Sequence, residues 1–178
     1  TVQNSIISAM QEAIDGLNKQ GHKHICGVLG THSKWRNDYL AACQACNQDV
    51  ELLDMPLSSR KERLAAVHEI CRLRPPALII NGRLTSNLLI REISQHCPEY
   101  RPTIIMKYDF YSEIIHHELI AGIIYCHSAQ LVKTAMNTLI NKVEGKSGSS
   151  IKHELVHSEF IPRAEFDETF QDDEELWK

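Results

Sequence analysis

The sequence predicts an α/β fold, a mainly parallel sheet with helices on both faces. Three observations carry that expectation. Short apolar runs of buried-strand length recur, among them His24–Gly30, Ala77–Asn81, Thr103–Met106 and Leu119–Tyr125. Between them lie longer stretches whose apolar residues repeat at helical spacing. Strands alternating with helices of about ten residues or more give a parallel sheet, because each crossover lays a helix on a face. The run GHKHICGVLGTHSKWRNDYLAACQAC (Gly21–Cys46) shows the unit in miniature: helix stop, apolar strand, small polar turn, helix.

Taken in order, Ser5–Gln20 reads as a helix, with Ile6, Met10, Ala13 and Leu17 in register and Gly21 as its stop. His22–Leu29 is the first strand. Lys34–Cys46 is the second helix, with Trp35, Tyr39, Leu40 and Cys43 on its apolar side. Val50–Asp54 is a short strand that Met55-Pro56 ends. Ser58-Ser59 is suited to cap a third helix that runs to about Leu73, where Pro75-Pro76 stops it. Ala77–Asn81 and Thr103–Met106 are buried strands on either side of a helix at Thr85–His96. Ser112–His117 is a helical turn or two. Leu119–Tyr125 is the most hydrophobic strand, and His127–Val143 is a long helix. After the loop Gly145–Ser150, Ile151–Ile161 reads as one or two strands. Residues 1–163 form the domain, and residues 164–178 an acidic tail.

The bulk numbers narrow the classes. A chain of 178 residues with 43% hydrophobic residues is long enough for one domain with a proper core. Glu165–Lys178 holds seven acids and one Lys, a net of -6; taken from the total of -4, this leaves the rest near +2. No basic stripe is present, so this segment is not expected to hold DNA through phosphates. No run approaches a membrane span and no signal peptide is visible, so no membrane association is expected. Six scattered cysteines suit reduced thiols in a cytoplasmic setting. Thr1 stands where an initiator Met would be, so a fragment or a processed product is expected.

Familiar motifs mostly fall away. Cys43-x-x-Cys46 lies at the far end of a helix, where the dipole does not activate a thiol. Ten histidines invite a metal reading, but none forms HExxH or a comparable set, so no metal and no cofactor are expected. Gly145-Lys146-Ser147 follows a helix and lacks the earlier Gly of a phosphate loop. No GxGxxG and no GxSxG is present, and no catalytic residue is assigned. What remains is polar residues at strand ends: Ser33, Arg36, Asn81, Asp109 and the segment Cys126–Ser128. In a parallel sheet these ends share one edge, where ligands gather. Arg and Asp offer paired donors and acceptors that match vicinal hydroxyls, as in a sugar or similar polyol.

A resemblance sharpens this. Ala13–Gly30 (AIDGLNKQGHKHICGVLG), Ser33–Ala42, Pro76–Asn81 (PALIIN), Thr103–Asp109 (TIIMKYD), Leu119–Gly145 and Lys152–Arg163 (KHELVHSEFIPR) resemble, in order and spacing, the carboxyl-terminal half of LacI/GalR-family transcriptional regulators. Tyr39 stands where that family usually has Gly, Gly122-Ile123 replace a Thr pair, and Cys126 replaces a Gln. The resemblance implies a periplasmic-binding-protein-like fold: the C-terminal lobe of a LacI-type effector domain plus part of the other lobe. It places Arg36 and Asp109 on a small-molecule effector, with Asn81 and Ser33 as weaker contacts. It also implies a homodimer, with Leu88, Leu89 and Ile93 as candidates for its surface, and operator DNA bound through an amino-terminal helix-turn-helix absent from this chain. The helix His127–Val143 would belong with the missing lobe and leave an apolar face uncovered.

The expected function is therefore the effector-binding, dimerising part of a LacI-like repressor, not an enzyme. The alternatives are a solute-binding protein serving a transporter, and a small α/β enzyme using Cys26 or the Cys43–Cys46 pair.

Overall fold

The structure is a computed structural model, and it describes residues 2–30, 34–55, 59–81, 83–108, 117–145 and 154–166. Its elements are β1 (Val2–Ser5), α1 (Ile7–Lys19), β2 (Ile25–Leu29), α2 (Lys34–Ala45), β3 (Glu51–Asp54), α3 (Arg60–Leu73), β4 (Ala77–Ile80), α4 (Arg83–His96), β5 (Thr103–Tyr108), β6 (Ile120–Tyr125), α5 (Ser128–Val143), β7 (Glu154–His157) and β8 (Glu159–Pro162). Six strands form the main sheet in the order β3-β2-β4-β5-β6-β8. The first five run parallel, and β8 closes the edge antiparallel to β6. The expected fold class is therefore observed.

Period-two alternation divides the strands between two cores. Ile25 and Leu29 of β2 join Met10, Ile14 and Leu17 of α1 and Tyr39 and Cys43 of α2. Cys26 and Val28 of the same strand point the other way, into Val67 and Ile70 of α3 and Leu89 and Ile93 of α4. Each helix of α1–α4 is placed by its apolar stripe. Local signals set its ends: the Ser59 hydroxyl accepts the Glu62 N–H at 3.1 Å, and Arg74 in the left-handed region (φ 52°) terminates α3.

β1 was not expected from the sequence. Val2–Ser5 has no period of its own and becomes a strand by pairing in parallel with β7 in a separate two-stranded sheet. α5 packs on these two strands. The chain thus passes between the two sheets at Ser5–Ile6, at Cys126–His127 and at Ser158. The Ser158 N–H donates to the Ser5 carbonyl at 2.9 Å, tying the first passage to the last.

Two further expectations change. Leu89 and Ile93 are 0% and 1% exposed within this one chain. Their helix turns that stripe onto its own sheet, so neither offers a surface to a partner, and Leu88 is half-buried against the same core. The tail does not begin cleanly at residue 164: after a single 3-10 turn, Arg163–Glu165, Phe166 is buried in the α3/α4 core. The helical turn expected around Ser112 lies outside the described residues.

Candidate functional site

The carboxyl edge of the main sheet gathers the chemistry. Asn81 follows β4 directly, and its backbone N–H donates to the Val28 carbonyl at 3.2 Å, so it sits where β2 and β4 end side by side. Arg36 lies in the first turn of α2, and its guanidinium Nη1 donates to the Asp54 carboxylate at the end of β3. A cation in a first helical turn opposes the helix dipole. Asp54 offsets that cost and aims the guanidinium along the edge. The pair is partly solvated, so it orients more than it stabilises. Ser33 and Asp109, the other two expected contacts, lie outside the described residues.

Sequence reasoning missed Trp35, Lys107 and Tyr125 at this edge, while His127 lies in the segment Cys126–Ser128 that it singled out. The Lys107 ammonium stands over the Trp35 ring, 4.7 Å from its centroid. Trp35, expected on the apolar side of its helix, packs partly on the α1/α2 core. The Tyr125 and His127 rings meet edge to face at 4.6 Å, and His127 Nε2 lies 3.2 Å from a Glu159 carboxylate oxygen. The available signal was adjacency: Trp35 precedes Arg36, Lys107 lies two residues before Asp109, and Tyr125 directly precedes the segment Cys126–Ser128. An aromatic face, a guanidinium, an ammonium and an amide on one edge suit a polyhydroxylated ring, which is apolar on its faces and polar around its rim.

The cysteines do not form a reactive centre. Burial pushes the Cys26 thiol up to about 12, with the Glu51 charge adding to the shift. Burial also raises Cys43 and Cys46, so neither is a ready thiolate. Cys26, Cys43, Cys71 and Cys126 are buried, and only Cys46 and Cys97 are partly accessible. In the native chain at pH 8, a colourless-to-yellow thiol reagent is therefore expected to react promptly with no more than those two groups, and with all six after denaturation. Fast reaction of three or more would contradict the burial.

The six-stranded, mainly parallel sheet with helices on both faces has a periplasmic-binding-protein-like fold, as its likeness to solved structures shows. Its structural neighbours are LacI-type regulators and binding proteins of that architecture. A periplasmic binding protein/LacI transcriptional regulator from Alkaliphilus metalliredigens, solved with D-xylulofuranose, aligns over 90% of this chain and 63% of its own, with TM-score 0.67 and 15% identity. A LacI transcriptional regulator from Lactobacillus brevis aligns over 90% and 63%, with TM-score 0.70 and 14% identity. GanP, a glucose-galactose binding protein from Geobacillus stearothermophilus, aligns over 92% and 62%, with TM-score 0.73 and 14% identity. The chain thus spans just over three-fifths of the length of these proteins. The sequence matches no family model and no curated protein. Among the described residues, no helix is long and apolar enough to cross a membrane.

Proposed function

We propose that this chain is the larger part of the effector-binding domain of a LacI-like transcriptional regulator, and that it takes a sugar or similar polyol at the carboxyl edge of the main sheet. The observation that carries the reading is that edge: Arg36 held by Asp54, Asn81 at the end of β4 against β2, and Lys107 over Trp35. Asp109, next after β5 and one residue beyond it, is the proposed acceptor for the ligand's hydroxyls, and Ser33 an additional contact. Two neighbours support the ligand class, one solved with a pentulose and one named for glucose and galactose.

The mechanism is allosteric. The effector binds between this lobe and a second one, of which β1, β7 and α5 are the part present here. It favours one lobe arrangement, and a helix-turn-helix elsewhere in the polypeptide gains or loses operator affinity by the same coupling free energy. Dimerisation, which the resemblance implies, is proposed for the intact regulator, on surfaces other than the core-facing Leu89 and Ile93.

The test is calorimetric titration of the intact polypeptide with pentoses, hexoses and disaccharides, for the wild type and for Arg36→Ala, Asp109→Ala. Hydrogen bonds to charged groups contribute about 1.5–3 kcal/mol each, so the double variant is expected to lose about a hundredfold in affinity or more. Unchanged affinity in that variant sinks the site. A solute-binding role, which the likeness to GanP favours, predicts equal sugar binding with no sugar-responsive DNA binding, and a gel-shift assay with and without the ligand separates the two.

A further inference from the structure

At the amino ends of the same strands, away from the sugar edge, lies a cavity of about 490 Å³. Sites for small molecules run from about 300 to 1,000 Å³. α3 stops at Arg74, and Pro75-Pro76 turn the chain into β4. Between that turn and the first residues of β2 and β3, the cavity walls include His24, Cys26, Glu51, Leu53, Leu73 and Arg74. Cys26 and Glu51 are register partners on β2 and β3. Strand alternation puts both on the α3 side, the side on which Leu53 packs.

We propose that this cavity binds a small organic cation, an ammonium group on an apolar body such as an aromatic ring. The body follows from the walls. Leu53, Leu73 and the two prolines present hydrocarbon, Cys26 a thiol, and Leu73 at 49% exposure keeps the cavity within reach of solvent.

The charge follows from what each ionic group already faces. Arg74 donates to the Glu99 carboxylate, so its guanidinium is neutralised where it stands. Arg72, in the last turn of α3, is held in the same way by Glu69. Glu51 faces His24, whose Nδ1 lies 3.3 Å from Glu51 Oε1. That contact is longer than an ordinary hydrogen bond, and the His24 side chain is 70% exposed, so a ligand ammonium can take its place. The last carbonyls of α3 add the negative end of the helix dipole. The Cys26 thiol registers the same sign: after burial, it is the Glu51 charge that raises it. An ammonium would therefore sit between Glu51 and the end of α3, with its apolar body against Leu53 and Leu73.

The experiment is saturation-transfer NMR of the 178-residue chain with phenethylammonium, its neutral isostere 2-phenylethanol and its anionic counterpart 3-phenylpropanoate. Phenethylammonium is expected to bind at about millimolar strength, the scale for a probe of so few atoms. It should bind about fivefold more tightly than the alcohol, as a part-exposed charge contact allows, and the propanoate should bind more weakly than either. Glu51→Gln should abolish the preference for the ammonium, and Leu73→Ala should weaken the ammonium about threefold. Both side chains are half-exposed, so the fold survives these changes. Arg74→Gly, at a left-handed position that glycine accepts, removes a cation and should hold or raise the affinity. No binding of any probe, equal binding of ammonium and alcohol, or a preference for the propanoate overturns the site. So does a preference for the ammonium that Glu51→Gln leaves intact. The cavity shares no residue with the sugar edge, so each site can fail without the other.

Discussion

Tyr39→Ala is expected to destabilise the domain by about 3–5 kcal/mol, the range for emptying a buried aromatic site. Tyr39 is 0% exposed and lies flat on β2. It fits because residue 27 is Gly: a Cβ built there would stand 2.8 Å from the ring and 3.0 Å from Leu52. The phenol donates to the Ile25 carbonyl at 2.8 Å, and its burial raises its pKa, so it stays a protonated donor. Truncation therefore empties a ring-sized volume and removes the donor together. Tyr39→Phe keeps the ring and should cost only about 1 kcal/mol for the lost bond. Gly27→Ala, pressing on the ring from the other side, should cost about 1–3 kcal/mol. The two sites share one space, so the double variant Gly27→Ala, Tyr39→Ala should lose less than the sum of the singles by about 0.5–3 kcal/mol. Urea unfolding of the four variants checks this, and a Tyr39→Ala chain within 1 kcal/mol of wild type would show that the ring is not what seats α2.

The same contact explains a departure visible in the sequence, Tyr39 where the resembling family has Gly. Here the bulk is on α2 and the room for it on β2, where Gly27 stands. Other features were legible because their cause is local. ALII at Ala77–Ile80 is apolar at every position and buried at every position. Ser59 caps α3 as its position before a charged, apolar-periodic stretch implies. What sequence reading missed depends on distant partners. β1 exists through β7, more than a hundred residues on. Arg36 meets Asp54 where the neighbouring strands β2 and β3 end, and Lys107 reaches Trp35 across the end of β4, which lies between β2 and β5. The periodicity of Leu89 and Ile93 defined an apolar stripe but not whether the sheet or a partner covers it; here the sheet does.

α5 presents the opposite case, an apolar stripe left exposed among the described residues, and the 178-residue chain is expected to self-associate through it. Val132, Met136, Leu139, Ile140 and Val143 are between 46% and 79% exposed, and no residue of α5 is buried. Their spacings of three and four align them along one side of the helix. Five large apolar side chains in line form a contiguous patch of a kind that soluble monomers keep to a few hundred Å². β1 and β7 pack against the helix. Met136→Glu with Ile140→Lys puts a favourable (i, i+4) charge pair in the middle of the stripe. The double variant is expected to shift the chain from oligomer to monomer in analytical ultracentrifugation and to lower its binding of an apolar dye. Its unfolding free energy should stay within about 0.5 kcal/mol of wild type, because exposed substitutions disturb no core packing. A wild-type chain that is monomeric and dye-silent would mean that the stripe is not adhesive. If the proposed lobe arrangement holds, adding the remainder of the second lobe should abolish self-association without any substitution, since the surface that joins copies of the isolated chain is then the one that completes the lobe.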